Sequence, residues 1–206
     1  MEDLILNVRN KKLDNIFHLL NLLSSDSLIN PYFLKLTYKI GATLLGIKPA
    51  ELLSLSFAGS ESSEWENYKT CLSRNSEIGF REIKKEKRSL FFVFHSKCLN
   101  DTLSGKITLK FLQDLGYPLQ YSLEKYLGHL QGKLSDCDFP HEVGVFLGYP
   151  LKDVMGFLGY LSLEKVKTKG WSYYGHTRMS ELRYDLFVQG RFKMQEVISV
   201  WNSEYL

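Results

Sequence analysis

The sequence predicts an α+β fold: a small, mainly antiparallel sheet covered by several helices, with a helix-rich C-terminal half. Three observations carry this expectation. Two strand-like segments, Phe80 to Lys85 and Ser89 to His95, flank a charged tip, Lys84-Lys85-Glu86-Lys87-Arg88, in the manner of a hairpin. The second arm, Leu90-Phe91-Phe92-Val93-Phe94, is apolar on both faces, as a central, covered strand is. From Asp101 onward, apolar residues recur at helical spacing.

The elements follow in order. Ile16, Leu19, Leu20 and Leu23 have helical spacing, and Ser24-Ser25-Asp26-Ser27 ends that helix. Residues 1–29 therefore read as an N-terminal helical extension of a single domain spanning 1–206. Asn30-Pro31 is an N-cap followed by proline at the first helical position, opening a second helix that stops near Gly46 and Pro49. Leu53, Leu55 and Phe57 alternate, which suits a short strand ended by Gly59-Ser60. Ser62 or Ser63 then caps a helix to about Arg74, with Trp65, Tyr68 and Leu72 on one face. The hairpin follows, its first arm more polar and hence more exposed. Helices are expected over Lys106 to Leu115, Ser122 to Leu134, Pro140 to Leu147 and Pro150 to about Leu161. Lys165 to Gly170 reads as a polar loop and Trp171 to Tyr174 as a last strand of the sheet. Thr177 to Val200 closes as a long helix, weakened at Gly190.

One phrase occurs twice. Leu115-Gly116-Tyr117-Pro118-Leu119 returns as Leu147-Gly148-Tyr149-Pro150-Leu151, each between helical patterns. Glycine suits the left-handed position that ends a helix, and proline the first turn of the next. A third Leu-Gly-Tyr, at 158–160, lacks the proline.

Bulk composition narrows the function classes. Hydrophobic residues make up 44% of the 206, enough for a substantial core. Net charge is only +3, and halving the chain after Leu103 leaves 14 basic and 12 acidic residues, then 12 and 11. No basic arm exists, so nucleic-acid binding is not favoured. Three scattered cysteines, Cys71, Cys98 and Cys137, suggest free thiols in a reducing compartment. The N-terminus begins with acids rather than a basic, then apolar, leader. No run approaches the ~20 apolar residues that span a bilayer. Cytoplasmic location, with no membrane partner, is the expectation.

The phrase Phe139-Pro140-His141-Glu142-Val143-Gly144-Val145-Phe146-Leu147-Gly148-Tyr149-Pro150, with Asp153-Val154 and Gly156-Phe157 after it, resembles the signature of the bacterial family called domain of unknown function 3793. Leu45-Gly46-Ile47-Lys48-Pro49-Ala50 looks like a second block of that family, and Trp171 with Tyr174-Gly175 like a third. The resemblance implies a cytoplasmic bacterial protein and brings no established activity. In the family pattern a His-Cys pair shortly precedes the Gly-x-Lys-Pro block, and cysteines precede the Trp/Tyr-Gly block. Here Lys39 and Ile40 fill the first places and Lys167-Thr168-Lys169-Gly170 the second. Thiol or metal chemistry is accordingly not carried over.

His141 and Glu142 are the catalytic candidates. One reading is architectural: Asp138 caps a helix, Pro140 takes an early helical position and Glu142 complements the dipole. The other makes His141 a general acid/base oriented by a carboxylate. Cys137 with His141, and His95 with Cys98, have ligand-like spacing, but no Cys-x-x-Cys or His-Glu-x-x-His motif supports a zinc site. Neither dinucleotide nor phosphate-loop glycine patterns occur. No metal or cofactor is expected. Lys48, Tyr149, Trp171 and Tyr174 are the ligand-binding candidates, the aromatic ones able to stack a ligand or base. The function expected is a binding or regulatory domain for a small molecule or protein. The alternatives are an enzyme using His141 and, third, a nucleic-acid-binding domain using the basic tip and the Lys165-Lys167-Lys169 segment.

Overall fold

The computed structural model describes residues 31–55, 61–85, 88–136 and 138–205, with Ile16, Leu20 and Asn21. The rest of the expected N-terminal helix, Phe57, the tip residues Glu86 and Lys87, and Cys137 lie outside the described residues. The elements are α1 (Pro31–Leu44), β1 (Ala50–Leu55), α2 (Glu61–Ser73), β2 (Ile78–Lys84), β3 (Ser89–His95), α3 (Ser96–Leu103), α4 (Lys106–Asp114), α5 (Leu123–Ser135), α6 (Val143–Phe146), α7 (Leu151–Phe157), β4 (Lys165–Lys169), β5 (Trp171–Tyr174) and α8 (Arg178–Tyr205). This is the α+β architecture expected.

The sheet has the order β1-β3-β2, antiparallel throughout. β3 is central because both of its faces are apolar, and alternation divides those faces between two cores. Leu90, Phe92 and Phe94 join a core made with α3 to α7, including Leu99, Phe111, Leu130 and Phe146. Phe91 and Val93 join a second core with Leu36 and Ile40 of α1, Trp65, Tyr68 and Leu72 of α2, and Met194 and Trp201 of α8.

Two expectations about strands need correction. Trp171–Tyr174 does not add to this sheet. It pairs with Lys165–Lys169, expected as a loop, in a separate two-stranded ribbon turning at Gly170. Every residue of β4 is exposed, so its sequence carries no burial alternation. Pairing with β5 and ion pairs from Lys167 to Glu181 and Lys169 to Asp185 on α8 hold it instead.

The helices start and stop for identifiable reasons. α3 begins before Asp101, where the sequence suggested: His95 ends β3 and its Nδ1 accepts from the Cys98 N–H at 3.3 Å, capping the helix. The His95/Cys98 spacing is therefore a capping device. The expected helix over 140–147 shrinks to one turn, α6, which has no side-chain cap, and Asp138 is exposed. The repeated corners do end helices as glycine allows. Gly116 (φ 93°) and Gly148 (φ 80°) are left-handed. Tyr117 N bonds Leu112 O at 3.1 Å, and Tyr149 N bonds Gly144 O at 2.9 Å. Gly116 N to Gln113 O and Gly148 N to Val145 O complete a Schellman motif at each. The prolines differ. Pro150 directly precedes α7, whereas Pro118 is followed by an irregular stretch to Ser122, whose hydroxyl caps α5.

Gly190 does not merely weaken α8. A Cβ there would lie 2.8 Å from Ala42 Cβ and 3.2 Å from its Cα, so the glycine lets α8 approach α1 closely. Gly190→Ala gains about 1 kcal/mol of helix propensity but overpacks this contact by about 2 kcal/mol. A net loss near 1 kcal/mol is expected in urea titration; a gain would show that the helix pair moves apart freely.

Candidate functional site

α7 and β5 meet at Asp153, a side chain with 2% exposure. Its carboxylate accepts from Lys152 Nζ (2.6 Å), Trp171 Nε1 (2.8 Å), the Tyr174 N–H (2.9 Å) and Ser180 Oγ (2.6 Å). Lys152 also donates to Tyr174 O at 2.7 Å. Burial alone would push this carboxyl up, but the hydrogen bonds from Lys152, Ser180, Tyr174 and Trp171 outweigh it and hold Asp153 below the usual carboxylate range. One carboxylate thus ties α7, β5 and α8 together and fixes the Trp171 indole.

Tyr149 stacks on Trp171 with centroids 4.3 Å apart and planes 16° apart. Behind Tyr149 lies Lys48, almost wholly buried, its Nζ 5.9 Å from the Tyr149 centroid and 5.3 Å from that of Phe187. Burial drives the Lys48 pKa below its ordinary value, opposed by the Glu51 carboxylate at 2.5 Å. Burial also raises the Tyr149 hydroxyl to about 12. The buried cation sits between a carboxylate and two aromatic faces, as an ammonium in a dry site requires.

In front of the stack is a cavity of about 440 Å³, walled by Phe139, His141, Tyr149, Phe157, Trp171 and Ser172 among others. Its surface is mostly apolar. His141 is exposed, its ring against Phe139 (5.6 Å) and Phe157 (4.9 Å), and its side chain makes no hydrogen bond among the described residues. Glu142 turns the opposite way. It is 4% exposed and accepts from Lys133 Nζ on α5 at 2.5 Å, with the Tyr117 hydroxyl at 3.4 Å.

Of the sequence candidates, His141, Tyr149 and Trp171 line one cavity. Lys48 supports its wall from behind. Tyr174 acts through its backbone and through its ring, which covers Gly156. Glu142 joins an internal ion pair. Sequence reasoning missed Asp153, which reads as an ordinary first-turn carboxylate after Pro150. The one available signal was the indole N–H of Trp171, which needs an acceptor when buried.

Three side chains of the basic segments, Lys85, Lys167 and Lys169, are committed within the molecule. Lys85 Nζ donates to Ser135 O and Asp136 O, at 3.0 and 2.8 Å. Lys169 lies 4.3 Å from the Tyr184 ring besides its contact with Asp185. Among the described residues, no group of three or more His, Cys, Asp or Glu is placed to hold a metal ion. None of the described helices is long and apolar enough to cross a membrane.

Fold and site together define an α+β fold with two cores and an aromatic cavity between α7 and the β4–β5 ribbon. The family model described as "Protein of unknown function (DUF3793)" matches residues 36–204, nearly all the elements above, and the chain belongs to that family. No curated protein and no solved structure matches the chain.

Proposed function

We propose that this chain is a small-molecule-binding domain whose ligand is flat, mostly apolar and bears one polar or anionic group. The cavity walled by the Tyr149–Trp171 stack carries this reading. Ordered aromatic walls with few polar groups are how ligand sites combine affinity with orientation. Besides Asp153 and the Trp171 indole N–H, which are bonded to each other, the lining side chains with polar groups are His141, Tyr149, Thr168 and Ser172. An acid/base role for His141 needs a second group held across the cavity. Glu142 is bound to Lys133 and Asp153 to four donors, so binding is the reading the geometry favours.

The test uses 8-anilinonaphthalene-1-sulfonate, a flat aromatic anion, at a pH where the near-UV circular dichroism is native. Saturable binding is expected, with quenching of Trp171 emission that Trp171→Phe removes. Ser172→Phe should fill the cavity and abolish the binding while leaving the thermal midpoint within a few degrees. Dye binding unchanged in Ser172→Phe would place the dye elsewhere and sink the proposal.

A further inference from the structure

Tyr149 also lines a second, larger cavity of about 620 Å³, bounded by the β3–α3 junction, the turn before β2, the Gly148–Leu151 corner and Arg183 of α8. Unlike the first, its surface is about half polar. Its charged side chains are Glu77, Lys97, Asp101 and Arg183. Lys97 and Asp101 pair with each other at 2.9 Å along one face of α3 and so cancel. The other two are left. The half-buried Arg183 guanidinium has no hydrogen bond or ion pair among the described residues. The Glu77 carboxylate is 3.7 Å from His95 Nε2 and has no closer ionic partner among the described residues. His95 is 2% exposed, and its Nδ1 accepts from the Cys98 N–H, which leaves the proton of a neutral ring on Nε2, on the side of Glu77.

One cation without an ionic partner among the described residues and one anion with only a buried histidine beside it thus face the same polar space. We infer that this second cavity binds a small zwitterion, a molecule with one carboxylate and one ammonium group. The planar guanidinium of Arg183 takes the carboxylate through two parallel N–H donors. Glu77, beside His95, takes the ammonium. A ligand with only one of the charges leaves the opposite group of the cavity facing it unpaired, so the two charges are needed together. The site is separate in chemistry from the aromatic cavity and uses none of its polar groups.

The inference is tested by thermal shift and calorimetry on the full chain with glycine, β-alanine, 4-aminobutanoate, 6-aminohexanoate and diglycine. These grade the separation of the two charges. At least one is expected to raise the midpoint saturably, while acetate and methylammonium at equal ionic strength do not. Arg183→Gln and Glu77→Gln should each weaken that binding by about ten-fold or more. Both should fold as the parent does, because neither side chain holds another element, and both should keep the anilinonaphthalenesulfonate affinity of the first cavity. No shift with any of the five zwitterions, or a shift matched by acetate, overturns the inference. So does a zwitterion affinity unchanged in both variants.

Discussion

Asp153→Ala is expected to lower the free energy of unfolding by about 3 kcal/mol, measured by urea denaturation at neutral pH. The loss is large because four donors on three elements converge on this carboxylate. Removing it leaves the indole N–H of Trp171, the hydroxyl proton of Ser180 and the Tyr174 N–H without their acceptor. It also removes the counter-ion of Lys152. That lysine retains 27% side-chain exposure, so water recovers part of its solvation and the figure stays at the low end for a broken buried pair. Asp153→Asn keeps the shape but sets an amide NH₂ against donors, and about 2 kcal/mol should go. A loss under about 1 kcal/mol for the alanine variant would mean that β5 and α8 are held without this carboxylate.

The pH dependence has a definite sign. The Asp153 pKa is lower in the folded chain than its ordinary value. Its contribution is therefore fully present above the unfolded value, about 3.9, and is lost as pH falls through the folded value. The stability difference between parent and Asp153→Asn should be constant from about pH 5 to 7 and shrink below about pH 4. A difference that grows on acidification would contradict the depressed pKa.

The second large effect comes from the two Gly-Tyr-Pro corners, which act as controls for each other. Gly148→Ala forces an L-residue to φ +80° and puts a Cβ 2.6 Å from Cδ and Cγ of Pro49 and 3.1 Å from Phe187. The left-handed backbone costs about 1 kcal/mol and the clash with a rigid ring about 2 more. Gly116→Ala meets the same backbone demand at φ +93°, but nothing lies within 4 Å of the added Cβ. Only about 1 kcal/mol should be lost there. Gly148→Ala should also weaken dye binding, since the corner carries Tyr149, whereas Gly116→Ala should leave it unchanged. Equal losses at the two corners would rule out the Pro49 contact as the cause.

Some of this was legible in the sequence and some was not, and the division follows burial. β3 could be placed at the centre because five successive apolar residues admit no exposed face. The helix ends could be placed because a left-handed residue is nearly always glycine. β4 was invisible: its lysines face solvent, and what makes it a strand is a partner strand and two acidic residues on α8. His141, Tyr149 and Trp171 stood out locally and do meet at one cavity. Glu142 stood out for a local reason and is used for a distant one, since Lys133 sits on a different helix. Asp153 gave no local sign at all, because its donors come from 18, 21 and 27 positions downstream as well as from its neighbour. Pairings of that kind depend on how α7, β5 and α8 pack, which no short window of sequence contains.

The two cores impose different timetables on a chain emerging from a ribosome. The first, apart from Ala50, draws its buried residues from positions 83 to 154, so it can close on contacts that are mostly local in sequence. The second needs Ile16 and Leu20 from one end and Met194 and Trp201 from the other. Its Trp201 indole donates to Asn21, 180 positions earlier. Until α8 is synthesised, α1, which lies on the sheet face bearing Phe91 and Val93, lacks the helix that packs against it. Nascent chains ending before Trp201 should therefore be the ones that chaperones hold, and release should coincide with the arrival of α8.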